Sequence, residues 1–228
     1  MSEFAACWQL AAGINGWLTR REARFLFSAA RAVPAGGTIV EIGSFFGRST
    51  VCLARGARCG AGARVLAIDP QFGSPKHEHL LGCADPEPWL LANLERAGVA
   101  DLVTTHRLTS VAAAATIPGP IDLLFIDGSH EYADVRADFA HWFPKLRAGG
   151  TLAFHDSWHM QGVRRWTTQL LLAPSPLARP RLIDTITACT KTTAPRRHPW
   201  FVATRTLRGV AGFLALTYFG TRLAPVGR

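Results

Sequence analysis

Four apolar segments of this chain end in an acidic or imidazole side chain, and this repeated pattern constrains the fold most. The segments are residues 38–43, 64–69, 121–132 and 150–156, and they carry Glu41, Asp69, Asp127 with His130, and His155 with Asp156. A buried strand has little reason to end in such groups unless its polar end does chemistry. Ligands of open α/β sheets bind beyond the carboxyl ends of the strands. We therefore predict one functional site along a single sheet edge.

Strand-like and helix-like segments alternate along most of the chain, after two predicted helices at residues 3–12 and 20–32. This alternation predicts an α/β fold of the doubly wound kind, with a mostly parallel sheet and helices on both faces. Two further strand-like segments, residues 181–187 and 200–206, follow a Pro-rich loop at residues 173–180. We expect this late pair to add an antiparallel edge to the sheet.

The length of 228 residues and an apolar content of 48% fit one domain with a sizeable core. Within that domain we expect N-terminal helices (residues 1–34), a core sheet (residues 35–206) and an apolar C-terminal helix (residues 207–228). This last segment is apolar on all sides, so we expect it to pack on the body of the protein or across a homodimer. The alternative is peripheral contact with a membrane.

Basic charge is concentrated at the end of the chain. Residues 158–228 carry 11 basic residues and one acidic residue, whereas residues 1–157 carry 14 basic and 15 acidic residues. This distribution indicates either a solvated basic surface or a face for an anionic surface, substrate or partner. No RNA-binding motif, zinc-ligand spacing or aromatic-basic repeat occurs, so we expect no nucleic-acid partner.

The cysteines and the apolar runs favour a cytoplasmic protein. Five cysteines are present without a CxxC pair, which is typical of free thiols in a reducing compartment. The first residues lack the positively charged start of a signal peptide, and no run of 18 apolar residues suits a membrane-spanning helix.

The segment EIGSFFGRST, which begins at Glu41, has the context of a ligand-binding loop because it joins a predicted strand to a predicted helix. Gly43 and Gly47 allow a tight turn, and the positive end of the following helix suits a carboxylate or phosphate. Asp69 is well placed to accept hydrogen bonds from ribose hydroxyls. The spacing differs from the GxGxxG of dinucleotide-binding folds, since Phe45 stands at the second glycine. The alternative for the two acids is local capping.

Together the EIGSFFGRS loop, the acid at the second strand tip, the IDGSH segment and the GGTLAFHD segment resemble the class I S-adenosylmethionine (SAM)-dependent methyltransferases. More narrowly, residues 35–160 resemble the small metal-dependent O-methyltransferases of catechol, caffeoyl-coenzyme A and macrolide-sugar type. The resemblance implies a seven-stranded sheet whose last strand pair is antiparallel. It also implies these SAM-binding residues: Glu41 near the amino group, Gly43, Ser44 and Gly47 along the methionine part, Ser49 at the carboxylate, Asp69 at the ribose, Thr109 or Ser110 at the adenine, and Asp127.

The last two strand tips carry groups suited to activating a hydroxyl. An alcohol or phenol becomes a better nucleophile when a divalent cation binds it and a base takes its proton. Asp127 and Asp156 are hard oxygen ligands that suit Mg²⁺. By resemblance, Asp127 is the first metal ligand and His130 stands where related enzymes place the catalytic base. The structural alternative for His130 is a neighbour of a helix N-cap.

The family usually offers an acidic pair or Asp-Asn at the last tip, where this chain has His155, Asp156 and Ser157. The third metal ligand is therefore either His155 or Ser157, and we take Asp127, His155 and Asp156 as the expected set. An imidazole ligand would also admit Mn²⁺, Co²⁺ or Zn²⁺. The alternative for His155 is a buried histidine with satisfied hydrogen bonds.

We therefore expect a SAM-dependent, Mg²⁺-dependent O-methyltransferase. Its favoured acceptor is a hydroxyl of a sugar or oligosaccharide, because the macrolide-sugar relatives use a His where His130 stands and the catechol type uses a Lys. A mycobacterial mannoside methyltransferase of polysaccharide synthesis is one concrete candidate. The alternatives are a phenol- or catechol-type O-methyltransferase, a nicotinamide-dependent enzyme, and a non-catalytic membrane- or nucleic-acid-binding module on the same fold.

Overall fold

A computed structural model of the chain describes residues 2–71 and 85–204. Its sheet has seven strands in the order β3-β2-β1-β4-β5-β7-β6. They are β1 (Thr38–Ile42), β2 (Arg64–Ile68), β3 (Val103–His106), β4 (Ile121–Ile126), β5 (Leu146–Phe154), β6 (Ser175–Ile183) and β7 (Ile186–Arg196). Strands β1 to β5 are parallel, and β7 is antiparallel to both β5 and β6. The predicted doubly wound α/β fold, with seven strands and an antiparallel edge, is confirmed.

Helices cover both faces of this sheet. They are α1 (Glu3–Ala12), α2 (Arg20–Arg31), α3 (Arg48–Arg58), α4 (Glu87–Arg96), α5 (Ser110–Thr116), α6 (Tyr132–Trp142) and α7 (Gln161–Leu172), and residues 199–204 are also helical. Strand β4 is buried throughout, and its side chains alternate between the two layers. Leu123 and Phe125 pack against α1 to α4, whereas Leu124 and Ile126 pack against α5 to α7.

The C-terminal hairpin differs from the sequence prediction. Strand β6 includes residues 175–180 of the predicted Pro-rich loop, and β7 includes most of the segment between the two predicted strands. Residues 200–204, predicted as strand, are helical. The reason is that β6 lies at the sheet edge, where a proline removes no necessary ladder hydrogen bond. A tight turn follows at Asp184, whose φ of 48° is left-handed. The predicted helix at residues 207–228 lies outside the described residues.

The register of the sheet aligns the functional strand tips. Ile42 of β1 pairs with Ile68 of β2 and with Ile126 of β4, and Ile126 pairs with Phe154 of β5. The residues that follow these four are therefore neighbours along one edge, and they are Gly43, Asp69, Asp127 and His155. The prediction that the four tips share an edge is confirmed.

Within residues 2–71 and 85–204, no helix is long and apolar enough to span a membrane.

Candidate active site

Gly43 connects the two halves of the site. Its φ of 87° is left-handed, and its N–H donates to Ile68 O at 2.8 Å. A Cβ at this position would lie 2.2 Å from the carbonyl oxygen of Asp127, which is closer than any real contact. Only glycine therefore allows the loop after β1 to touch the loop after β4.

The N-terminus of α3 faces the same edge. Its N-cap, Gly47, is also left-handed with a φ of 87° and offers no side-chain hydrogen bond to the first turn. The first N–H groups of a helix need an external partner, and they favour an anionic one. Ser49 and Thr50, in this first turn, are buried. The helix end therefore fits a carboxylate such as that of the SAM methionine.

Glu41 is a buried carboxyl group with one unused oxygen. Its Oε2 accepts a hydrogen bond from Thr50 Oγ1 at 2.5 Å, whereas Oε1 has no hydrogen-bond partner among the described residues. Burial raises the pKa of Glu41 to about 8, although the hydroxyls of Ser49 and Thr50 offset part of this effect. Buried polar atoms are nearly always paired, so an unpaired oxygen at a ligand edge suits a ligand donor such as an amino group.

Asp69 stabilises the glycine loop through backbone hydrogen bonds. Its Oδ2 accepts from the N–H groups of Ser44 at 3.0 Å and Phe45 at 2.9 Å, and its Oδ1 accepts from Gln71 at 2.8 Å. Local capping, the alternative raised for this residue, therefore does occur. A carboxylate has about four acceptor sites, so ribose hydroxyls could still bind here. The Oε1 atom of buried Gln71 has no partner among the described residues either.

Thr109 and Ser110, which are predicted to contact the adenine, form hydrogen bonds with other residues of the chain. Thr109 is the N-cap of α5 and accepts from the N–H of Ala112 at 3.3 Å. The Ser110 hydroxyl accepts from Trp142 Nε1 at 2.8 Å. Burial raises the pKa of nearby Asp138 to about 6, and a hydrogen bond with Ser110 partly opposes this rise. A contact of Thr109 or Ser110 with adenine stays a prediction.

The segments that follow β4 and β5 bring Asp127, His130 and Asp156 together, and we call this part of the site the chemistry end. Each offers one potential ligand atom, and these atoms all lie within 4.8 Å of one another. His130 Nε2 lies 3.3 Å from Asp156 Oδ2, and this contact is the main reason why the pKa of His130 is raised. His159 Nε2 lies 3.2 Å from the other oxygen of Asp156. The chain thus gathers carboxylates and imidazoles where the sequence predicted a metal site and a base.

A role of His155 as third metal ligand stays a prediction, and its surroundings in the fold bear on it. Its side chain is only 4% exposed, and Nδ1 lies 3.1 Å from Asp127 Oδ1 and 3.3 Å from Asp156 Oδ1. Its Nε2 lies 3.4 Å from Glu22 Oε2. Both ring nitrogens therefore lie within 3.4 Å of carboxylate oxygens. His130 forms the cluster with Asp127 and Asp156, and His155 contacts the same two carboxylates from the buried side.

Strand alternation explains this arrangement. His155 follows β5 on the face that α2 covers, while the backbone turns left-handed at Asp156, with a φ of 52°. Burial alone would lower the pKa of His155, but Asp127 and the hydrogen bonds to the carboxylates outweigh it and raise the pKa to about 12. The hydroxyl of Ser157, the other proposed ligand, donates to Thr185 O at 2.7 Å and contacts Thr187 Oγ1 at 2.6 Å.

The sequence does not predict Glu22 as a member of this network, and for His159, near the rim, it favours surface decoration over substrate contact. Glu22 forms a capping box with Thr19 at the start of α2, so its spacing indicates a helix start and nothing more. Its side chain is nevertheless 1% exposed and reaches His155. His159 lies in the segment after β5, where the sequence offers no reason to prefer it over other histidines near the rim. The local sequence around Glu22 and His159 does not indicate which residues they contact in the fold.

Comparison with known proteins decides the family. Residues 40–157, about half of the chain, match the methyltransferase domain family. The chain belongs to this family. The match begins within β1 and ends just beyond Asp156, so it includes the glycine loop and the whole cluster at the chemistry end. The family resemblance inferred from the loop and strand-tip motifs is confirmed.

Curated relatives include O-methyltransferases. Catechol O-methyltransferase of Mycobacterium tuberculosis is 32% identical over 141 residues, which are 61% of this chain and 56% of that protein. Mycinamicin VI 2''-O-methyltransferase of Micromonospora griseorubida is 48% identical over 40 residues, which are 18% of this chain and 10% of that protein. The matched part of the chain thus spans less than two thirds of the length of these relatives.

Solved structures share the fold. The O-methyltransferase TomG from Streptomyces achromogenes, in complex with SAM, superimposes with a TM-score of 0.61 at 20% identity and covers 84% of this chain and 90% of its own. An O-methyltransferase from Bacillus cereus, in complex with S-adenosylhomocysteine (SAH), gives a TM-score of 0.59 at 21% identity. The match covers 84% of this chain and 91% of that protein. At these identities the likeness concerns the fold alone.

Proposed function

We propose that this chain is a SAM-dependent O-methyltransferase whose acceptor is a hydroxyl of a sugar or oligosaccharide. The observation that carries the proposal is the direct contact between Gly43 and the Asp127 backbone. It brings a glycine loop with an unpaired buried Glu41 oxygen beside a cluster of carboxylates and imidazoles. Donor and acceptor would thus meet at one edge, as an in-line displacement requires.

On the donor side, this chain's residues bind and orient. SAM, when bound, supplies a methyl group on a sulfonium that an oxygen nucleophile can attack. Glu41 Oε1 would accept a hydrogen bond from the amino group, and the uncapped end of α3 would hold the carboxylate. Asp69 would accept from the ribose hydroxyls while it keeps the loop in place through Ser44 and Phe45.

On the acceptor side, His130 would take the hydroxyl proton at Nε2 as the oxygen attacks the methyl carbon. Asp156 Oδ2, 3.3 Å away, stabilises the resulting imidazolium. A divalent cation held by Asp127 and Asp156 would make the hydroxyl more acidic, and we propose Mg²⁺ for this role. The dense set of carboxylates and imidazoles supports this assignment, since a sugar hydroxyl gives up its proton less readily than a phenol.

The catechol-type alternative rests on a specific observation, the 32% identity with the Mycobacterium tuberculosis relative. The chain carries His130 at the base position, which favours the sugar acceptor. Two tryptophans near the glycine loop, Trp17 and Trp89, are each 60% exposed and could stack on either kind of acceptor. Trp17 stacks on Phe45, and Trp89 lies 6.2 Å from the Phe46 ring.

Transfer of labelled methyl from SAM to a panel of acceptors tests the proposal. The panel contains mannosides, other oligosaccharides and glycosylated macrolides on one side and catechols on the other, each assayed with Mg²⁺ and with a chelator. We expect Mg²⁺-dependent labelling of a glycan. Labelling confined to catechols would reject the sugar acceptor, and labelling unaffected by the chelator would reject the metal.

The remaining expectations concern the whole protein. Cytoplasmic location, a homodimer and membrane contact through residues 207–228 stay proposals. Binding to anionic vesicles across a salt series tests the contact, because ionic binding should collapse as salt rises. The non-catalytic module is the weaker alternative, since a module without chemistry has no need for the cluster of Asp127, His130 and Asp156.

A further inference from the structure

We infer that Glu22 and His155 are positioning residues of this site, and that together they hold the carboxylates of Asp127 and Asp156 in place from the buried side. The inference rests on the proposed function for what those two carboxylates do. It concerns a chain of three contacts that runs from helix α2, through an imidazole, to the chemistry end of the site.

The first link is His155. Its side chain is 4% exposed, and Nδ1 lies between the two strand tips, 3.1 Å from Asp127 Oδ1 and 3.3 Å from Asp156 Oδ1. Two carboxylates this close repel each other unless a donor stands between them. An N–H placed there fixes both at once. Asp156 needs such a constraint, because its left-handed backbone is strained for a residue with a side chain.

The second link is Glu22. Its carboxylate is 1% exposed, and Oε2 lies 3.4 Å from His155 Nε2. The other oxygen, Oε1, accepts from the backbone N–H of Thr185 at 2.8 Å and from its hydroxyl at 2.6 Å. A buried carboxylate is costly unless it is paired. Glu22 thus orients the imidazole while the β6–β7 turn fixes Glu22.

Both supports come from outside the family match, which spans residues 40–157. Glu22 lies on α2 before the match, and Thr185 lies in the β6–β7 turn after it. The N-terminal helices and the C-terminal hairpin therefore do more than cover the sheet. They determine where the carboxylates of the matched domain stand.

Glu22→Gln in the full chain tests the inference, with Glu3→Gln as its matched control. Glutamine keeps the size of the side chain but is neutral, so the His155 ring loses its charged acceptor at Nε2 whichever way the amide faces. Glu3→Gln makes the same change at an exposed carboxylate of α1 that pairs with Arg31 on the surface. Three quantities are measured for each protein: the affinity for Mn²⁺ by electron paramagnetic resonance, the turnover number, and the KM for SAM.

Loss of an outer hydrogen-bond partner of a metal-binding carboxylate costs about 10-fold to 100-fold in metal affinity or activity. We expect Glu22→Gln to lower Mn²⁺ affinity or turnover by that factor and to leave the KM for SAM near the wild-type value. Glu3→Gln should leave all three near wild type. Equal effects of the two variants, or no effect of Glu22→Gln, would overturn the inference.

Failure of the proposed function gives a different result. If the wild-type chain binds no Mn²⁺, the metal is removed from the proposal. The turnover numbers of the variants then test whether Glu22 and His155 position the carboxylates. If the wild-type chain transfers no methyl group either, nuclear magnetic resonance of ¹⁵N-histidine-labelled protein decides. Two slowly exchanging ring N–H signals of His155 are expected in wild type and in Glu3→Gln, with the Nε2 signal lost in Glu22→Gln. Retention of both signals in Glu22→Gln would contradict the inference.

Discussion

The loop after β1 and the cluster after β4 and β5 lie side by side at one sheet edge, but they are stabilised in different ways. The loop depends on the backbone: two left-handed glycines and two N–H groups that donate to Asp69. The cluster depends on side-chain charges, since Asp156 lies within 3.3 Å of His130, His155 and His159. The difference indicates that the loop leaves polar groups for a ligand, whereas the cluster largely satisfies its own.

The pKa values of two buried carboxyl groups show this contrast most clearly. Burial raises the pKa of Glu41 to about 8, because only hydroxyls oppose it. Burial also acts on Asp156, but hydrogen bonds from His130 and His155 outweigh it and hold the pKa of Asp156 well below its ordinary value. Similar burial thus gives a neutral acid at the cofactor end and a carboxylate at the chemistry end.

The largest expected effect is at the chemistry end. His130→Ala should lower turnover by about 10² to 10⁴, the usual contribution of a general base, and should leave SAH affinity unchanged. The control is His141→Ala, an exposed histidine whose ring contacts the Ala137 carbonyl. Unchanged turnover in His130→Ala would remove the residue from the mechanism, and an equal loss of SAH affinity would remove the contrast between the two ends.

The next effect is at the cofactor end and concerns the backbone. Gly43→Ala should destabilise the protein by more than the roughly 1–3 kcal/mol of left-handed strain, because its Cβ would also clash with Asp127. Gly62→Ala is the matched control, since Gly62 has a φ of 75° and nothing within 4 Å of its Cβ. Thermal unfolding of both variants measures the difference. Equal losses would show that the close approach of the two loops is not required.

A smaller effect is expected for Asp69→Ala, which should weaken SAH binding by about 10-fold to 100-fold, since hydrogen bonds to a charged group contribute roughly 1.5–3 kcal/mol. Calorimetric titration measures it. Asp101→Ala is the control, because Asp101 is an exposed acid paired with Arg58 on the surface. An affinity unchanged by Asp69→Ala would mean that Asp69 only caps the loop.

The smallest effect is a pH dependence at Glu41. The pKa of this group is raised from 4.5 to about 8 in the folded chain, so it is mostly protonated at neutral pH. A cationic amino group favours the ionised form, so SAH affinity should rise about fivefold between pH 7 and pH 8 as the proton becomes easier to release. Glu41→Gln should remove this rise. A pH-independent affinity in the wild type would contradict the role given to Glu41.

The same raised pKa bears on stability without ligand. The folded state binds the Glu41 proton more tightly than the unfolded state does, so the free energy of unfolding should fall as pH rises from about 4.5 to about 8. Chemical denaturation across that range measures the fall, and Glu41→Gln should reduce it. A wild-type stability that rises with pH through this window would contradict the raised pKa.

Most of the fold could be predicted from the sequence because its signals are local. The bounds of α1 agree residue for residue with the prediction, and α2 ends one residue before its predicted end, since cap residues and apolar periodicity mark them. The C-terminal hairpin could not be predicted in the same way. Its prolines and threonines are typical of loops, and only a position at the sheet edge makes them strand residues.

The residues of the site also differ in how far the sequence predicts them. Asp127, His130 and Asp156 could be singled out because each stands at the end of an apolar run, and the register then brings the strand tips together. The role of His155 could not be predicted, because it depends on Glu22, a residue 133 positions away in the chain. Pairing of buried charges across layers leaves no periodic signal in the sequence.

A crystal structure of the chain with SAH and Mn²⁺ tests the central claim most directly. The account predicts the SAH amino group within hydrogen-bond distance of Glu41 Oε1, and an anomalous peak for Mn²⁺ between Asp127 and Asp156. SAH bound away from the Gly43 loop, or Mn²⁺ bound away from the two carboxylates, would contradict it.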